Sequence, residues 1–270
     1  MTLSFHNDDS LKAKYLERLN RIGADEIILG IRCSDFEGCS MADLEDKFGV
    51  PKWLARLRNT ISQKIPNRKV KQFIIVWAEA IPVGVDLSKV KHRYCSWLLE
   101  ENLKLVNNLV GISPSLKAKA IKAIQQCQAV EELRMNNAIP APRKATSAQK
   151  AAISAAYAAK RVRDKTARQI QEARSEAINK GASLADVDEA LWDKGGEMIA
   201  RYDAATVVFF ASKAAVAAVG IVELKEDTTH AADATWYSNA AVAAQEEEEE
   251  ANAHRANKLI ALLRTSGKDE

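Results

Sequence analysis

Proline disappears from this chain after residue 142. All six prolines (51, 66, 82, 114, 140 and 142) lie at or before that point, and the 128 residues that follow have none. Proline removes a helix-interior donor and clashes with the preceding turn. Its distribution therefore predicts short helices with defined ends in the first half and long, uninterrupted helices in the second. Cysteine is scarce as well: Cys33, Cys39, Cys95 and Cys127, with no Cys-x-x-Cys pair. That excludes a disulfide-built fold and the close-spaced ligand pairs of a structural zinc site. Four reduced thiols packed as small apolar groups are expected, with no metal and no cofactor.

Catalytic signatures are missing too. There is no Gly-rich phosphate loop, no Gly-x-Ser-x-Gly and no His-Glu-x-x-His. His92 and Cys95 are three residues apart in a predicted helix, which would make them neighbours, but a helical cysteine beside aromatics reads as core. An enzyme is the less favoured reading. Met1 to Ser10 carries Asp8 and Asp9 and no apolar run of the kind a secretory leader needs. The longest apolar stretch, Ala204 to Val222, has Lys213 near its centre. A lysine at that depth of a bilayer is costly, so a buried helix and a cytoplasmic location are expected, with no membrane contact.

What is present reads as helix almost everywhere. Of 270 residues, 47% are hydrophobic and 28% are charged, which suits a globular chain. Leu11, Tyr15, Leu16 and Leu19 keep helical spacing up to a stop at Gly23. Residues 25–39 alone have strand or loop character. Ser40 opens a short helix that Gly49 ends, and Pro51 starts another with Trp53, Leu54 and Leu57 on its apolar face. A helix from Asn67 carries Val70, Phe73, Ile74 and Trp77. The next begins near Asp86 or Ser88 and passes through Leu105. Ser113-Pro114 caps and starts one that reaches about Met135. Residues 137–147 form a polar, proline-bearing break. Beyond it, 32 alanines fall in 125 residues. Thr146 is expected to cap a helix to Lys180, Ser183 one to about Val222 with a bend at Gly195-Gly196, and Asp227 the start of a third to about Arg264. The expected architecture is all-α: a short-helix, basic N-terminal part over 1–140 and a long, alanine-rich antiparallel helical bundle over 146–266. The aromatics inside the alanine runs (Tyr157, Tyr202, Phe209, Phe210, Trp236 and Tyr237) are expected to fill gaps between helices.

A formal net charge of +3 hides a division. Residues 1–145 carry 23 Lys+Arg against 16 Asp+Glu, a net of +7; residues 146–270 carry 16 against 20, a net of −4. From Lys47 to Ala78 there are eight basic residues and no acid. The candidate basic surface is Lys52, Arg56, Arg58, Lys64, Arg68, Lys69, Lys71, Lys89, Lys91 and Arg93, suited to an acidic protein or to phosphates. The plainer alternative is a solvated helix face, or pairing with the chain's own acidic run, Glu246, Glu247, Glu248, Glu249 and Glu250. Trp53 and Trp77 sit on apolar stripes, so they read as core and not as base-stacking platforms.

The segments DLEDKFGVPKWLARLRNTI and VWAEAIPVGVDLSKVKHRYCSWLLEENL, followed by AAISAAYAAKRVRDKTARQ, resemble a loose group of uncharacterised bacteriophage and bacterial proteins, some of them described as immunity proteins. The resemblance covers roughly residues 40–265 and is compositional. This tail departs from it in having few tyrosines and an acidic run. It supplies no catalytic residues and implies a small cytoplasmic helical protein, in a bacterial host if phage-encoded, that acts by binding. A protein partner is therefore the leading expectation, as an immunity or phage counter-defence factor. The alternatives are a nucleic-acid-associated protein using residues 47–93, or a structural, self-associating phage protein whose alanine-lined faces join between chains.

Overall fold

The computed structural model describes residues 3–23, 35–36, 39–219, 230–243 and 248–268. Among them are ten α-helices: α1 (Asp9–Arg21), α2 (Met41–Phe48), α3 (Lys52–Ser62), α4 (Asn67–Ala80), α5 (Ser88–Asn108), α6 (Pro114–Met135), α7 (Pro142–Asn179), α8 (Leu184–Val219), α9 (His230–Ala243) and α10 (Glu248–Thr265). The fold is all-α. Asp35–Phe36 (β1) and Cys39–Ser40 (β2) add a minimal antiparallel pair, with Asp35 opposite Ser40 and Phe36 opposite Cys39. Most of the 25–39 stretch expected to be strand or loop lies outside the described residues; β1 falls within it and β2 starts at its last residue.

Local chemistry sets most helix ends. The Asp8 carboxylate accepts from the Ser10 amide at 2.8 Å and caps α1. The Ser113 hydroxyl accepts from the Leu116 amide at 3.3 Å, with Pro114 in the first turn of α6. Gly181, at φ +90°, ends α7 as a left-handed terminator. One expected boundary moves. The long helix begins at Pro142 and not at Thr146, because Ala141 is extended and Pro142 fits the first turn, where its missing N–H has no cost. Of the last expected helix, the start at Asp227 and residues 244–247 lie outside the described residues, and α9 and α10 are helical on either side of the latter. Helix α8 passes through Gly195-Gly196 as one element.

Residues near the N-terminus strap the basic part together. Phe5 is wholly buried, and the Ser4 hydroxyl donates to the Pro82 carbonyl at 2.6 Å while accepting from the Val85 amide at 3.0 Å. This strap lies across Gly49, at φ +62°, where a Cβ would come within 2.5 Å of the Leu3 carbonyl oxygen. Only glycine tolerates both the backbone angle and the approach.

The interior of the first half is made of large side chains: Leu54, Leu57, Ile61, Ile74, Trp77, Tyr94, Leu98 and Leu99 are all at or near full burial. In the long hairpin of α7 and α8, a four-residue turn makes the helices antiparallel neighbours. Ala145, Ala148, Ala152, Ala155 and Ala159 form the buried stripe of α7; Ala204, Val207, Val208, Ala211, Ala215 and Ala218 face it from α8. Both interiors belong to one continuous cluster running from Phe5 to Leu263. Of the aromatics expected to fill gaps, Phe209 and Phe210 are partly buried and pack against the core, whereas Tyr157 and Trp236 do not. Tyr157 is 63% exposed and Trp236 49% exposed, because alanine stripes already close the hairpin and leave no room for a ring between the axes. Gly196–Val219 is long and apolar enough to cross a membrane, and 56% of its apolar 18-residue window is buried inside the protein.

Candidate functional site

The ten cations singled out from the sequence do not share one surface. Arg58 is a correction: it is only 2% exposed. Its guanidinium donates to Asn59 Oδ1 (2.8 and 3.1 Å) and to the Tyr15 hydroxyl (3.4 Å), and sits 5.0 Å from the Trp77 ring centre. Burial pulls its pKa down, and the ring face and polar neighbours offset that cost. Lys91, 5% exposed, is also interior. Lys71 donates to the carbonyls of Asn20 (3.2 Å) and Ile22 (2.7 Å) and so caps the C-terminus of α1. Lys12, outside the predicted set, does the same for α4 through the carbonyls of Glu79 and Ile81. Lys52 lies 3.6 Å from the Glu45 carboxylate. Arg56, Lys89 and Arg93 are half-buried. The exposed members are Lys64, Arg68 and Lys69, clustered where α3 ends and α4 begins.

That cluster borders a groove of about 240 Å³ between α4 and α10. Its floor is Phe73, Val76, Ala256 and Ile260; Ile65 and Pro66 close one end, and Lys64, Lys69, Gln72, Asn252 and Asn257 bring polar groups to the lining. The helical period produces this division. Phe73 and Val76 lie three residues apart on one face of α4, with Lys69 one turn earlier. Ala253, Ala256 and Ile260 repeat the pattern on α10. Of the acidic run, Glu246 and Glu247 lie outside the described residues, and Glu248–Glu250 begin α10 about one turn before Asn252 and Ala253. Sequence reasoning found the lysines but not the groove, because α10 reaches α4 by tertiary packing across most of the chain length. Lys64 and Lys69 were visible only as charge.

Two interior polar nodes complete the picture. The Glu131 carboxylate is fully buried; it meets His92 Nδ1 at 2.8 Å and accepts from Arg134 Nη1 at 2.6 Å, and Arg134 also donates to the Val219 carbonyl at 2.7 Å. His92 therefore serves Glu131 and not Cys95. Cys95 is buried, and burial pushes the Cys127 thiol up to about 12, so Cys127 stays neutral and unreactive at physiological pH. In the second node Ser238 donates to Asn102 Oδ1 at 2.9 Å and accepts from Arg255 at 2.9 Å. Thr235 reaches the Tyr94 hydroxyl at 3.4 Å, and burial raises the Tyr94 pKa. Neither node opens onto the groove lining. No group of three or more His, Cys, Asp or Glu that could hold a metal ion occurs among the described residues. Comparison with protein-family models, with curated proteins and with solved structures finds no match for this chain.

Proposed function

We propose that this chain is a helical binding protein that seats a segment of a protein partner in the groove between α4 and α10. The observation that carries the reading is the groove itself. It has an apolar floor of Phe73, Val76 and Ile260, with Lys64 and Lys69 at its edge, in a stretch with eight basic residues and no acid. A space of that size accepts one or two anchoring side chains. A nucleic-acid role fits less well. Phosphate tracking needs an extended run of free cations, whereas Arg58 and Lys91 are interior and Lys71 is spent on a helix end. The immunity or phage counter-defence role implied by the resemblance is the setting we propose for this binding, in a bacterial cytoplasm.

Ala253 is exposed and lines the groove, so Ala253→Trp fills it without disturbing the interior. Affinity capture from nuclease-treated bacterial host lysate, with the wild type and Ala253→Trp side by side, tests the proposal. The expected result is a protein retained by the wild type and lost from Ala253→Trp and from Lys69→Glu. A partner held equally by all three, capture of nothing, or salt-sensitive filter binding of DNA or RNA untouched by Ala253→Trp would refute it.

A further inference from the structure

We infer that the strap Ser4–Asn7 is a strained latch, which holds α10 against α4 and so regulates the groove between them. Its bearing on binding rests on the reading of that groove given above; the mechanical coupling does not. The backbone is the first observation. Phe5, His6 and Asn7 lie in the left-handed region one after another, at φ 49°, 50° and 61°. L residues enter that region at a cost, and ordinarily singly. Asn137, the one other non-glycine residue found there among the described residues, stands alone. Asparagine and histidine tolerate the conformation better than most residues, but a phenylalanine in it is an outlier. Phe5 is held by its ring, which is wholly buried and lies 6.1 Å from that of Tyr15, itself 4.9 Å from Phe48. Ring burial and backbone strain oppose each other within one residue. Such strain gathers at ligand clamps and switch segments, where the surrounding structure keeps it in place.

The second observation is what the strap holds. It is bonded to the loop that follows α4. The Ser4 amide donates to the Val85 carbonyl at 3.1 Å and the Gly84 amide to the Ser4 carbonyl at 2.9 Å, in addition to the two bonds of the Ser4 hydroxyl. The same loop meets the end of α10. A Cβ at Gly267, in the short 3-10 helix Ser266–Lys268, would lie 3.5 Å from Val85 and 3.6 Å from Pro82. Both walls of the groove therefore end on one loop. Lys12 of α1 pins the last carbonyls of α4 independently, through Glu79 and Ile81. That leaves α10 as the wall free to move. Releasing the strap loosens the loop and the end of α10, whose Ala256 and Ile260 line the groove.

Amide hydrogen exchange, read by mass spectrometry on the whole chain alone, tests the latch. Ser4→Ala removes the two hydroxyl bonds and leaves the Phe5 ring in place. Exchange should quicken about tenfold at Gly84 and Val85 and in the last turn of α10, residues 262–265. His6 isolates the strain, because its exposed ring only donates to the Asp46 carbonyl at 3.0 Å. His6→Ala and His6→Gly lose that contact alike, but glycine alone is at ease at this φ. The same amides should exchange several-fold more slowly in His6→Gly than in His6→Ala. Exchange over residues 152–159 of α7 should stay unchanged in every variant. Faster exchange confined to the strap and loop, with α10 unaffected, would overturn the inference. So would an even rise through α7, which makes the strap a support of the whole fold, or equal exchange in the two His6 variants. With no partner present, these outcomes are independent of affinity capture. Capture that Ala253→Trp abolishes, beside unaffected α10 exchange in Ser4→Ala, keeps the groove and removes the latch.

Discussion

The two halves of this molecule solve burial in opposite ways. Around α3–α5 the interior is filled by Trp77, Leu54, Leu57, Ile74 and Tyr94. Each such side chain contributes about 1.5–3 kcal/mol on leaving water. In the α7–α8 hairpin the buried residues are mostly alanines and valines. Alanine gains little from transfer, but it loses no rotamer entropy and lets helix axes approach until backbone meets backbone. The first strategy tolerates short helices, because a few large residues anchor each one. The second needs length, and α7 and α8 have 38 and 36 residues. Polar chemistry concentrates where the strategies meet. Glu131 ties α5 and α6, through Arg134, to the end of α8, and the Asn102–Ser238–Arg255 node ties α5 to α9 and α10.

The comparison breaks most severely at that joint. Glu131→Ala strips the buried partner from both His92 and Arg134 and releases the Val219 contact. Removing one member of a buried, hydrogen-bonded ion pair costs about 3–5 kcal/mol. Urea denaturation followed by helical circular dichroism should show that loss, with the melting temperature falling in step. A loss below about 1 kcal/mol, the range of an exposed pair, would mean that the joint is held by apolar packing alone.

A smaller effect separates the two interiors. Ala155→Leu, on the fully buried stripe of α7, forces a branched side chain between close-packed axes and should cost about 1–3 kcal/mol. Leu57→Met in the first half conserves volume and should cost less than about 1.5 kcal/mol. The same urea titrations measure both. If Ala155→Leu is neutral, the hairpin is looser than its alanine stripes imply and the contrast drawn above fails.

Much of this was legible from the amino-acid order because the deciding signals were local. Pro114, Gly181 and the hydrophobic period placed helix ends and faces to within a few residues, and the proline-free tail announced long helices. What escaped was tertiary. Arg58 read as surface charge, since nothing in the helix Lys52–Ser62 reveals that Tyr15 and Trp77 close over it. Lys71 read as a ligand contact, when its reach to Asn20 and Ile22 depends on how α1 lies against α4. Trp236 read as filler because ring size suggests burial, and only the packed alanines show that the space was already taken. The groove needs α10 beside α4, and no periodicity in either helix specifies that neighbour.

The smallest expected effect concerns the acidic first turn of α10. Negative charge at a helix N-terminus interacts favourably with the unpaired amides and the macrodipole, by about 0.3–1 kcal/mol per residue at low ionic strength, and salt screens it. Replacing Glu248, Glu249 and Glu250 together by glutamine should therefore lower the melting temperature modestly in dilute buffer, and the difference should shrink at high salt. The eight basic residues from Lys47 to Ala78, with no acid among them, give the same run a second role to test, as their electrostatic partner. Repeating the exchange in a Lys69→Gln background separates the two. Additive losses assign the acids to the helix end alone, whereas a smaller loss in the double variant makes them electrostatic partners of the rim. In the second case, neutralising the run should also expose Lys64 and Lys69 to an acidic partner and tighten its binding. The acidic turn would then set the affinity of the groove as well as start its helix.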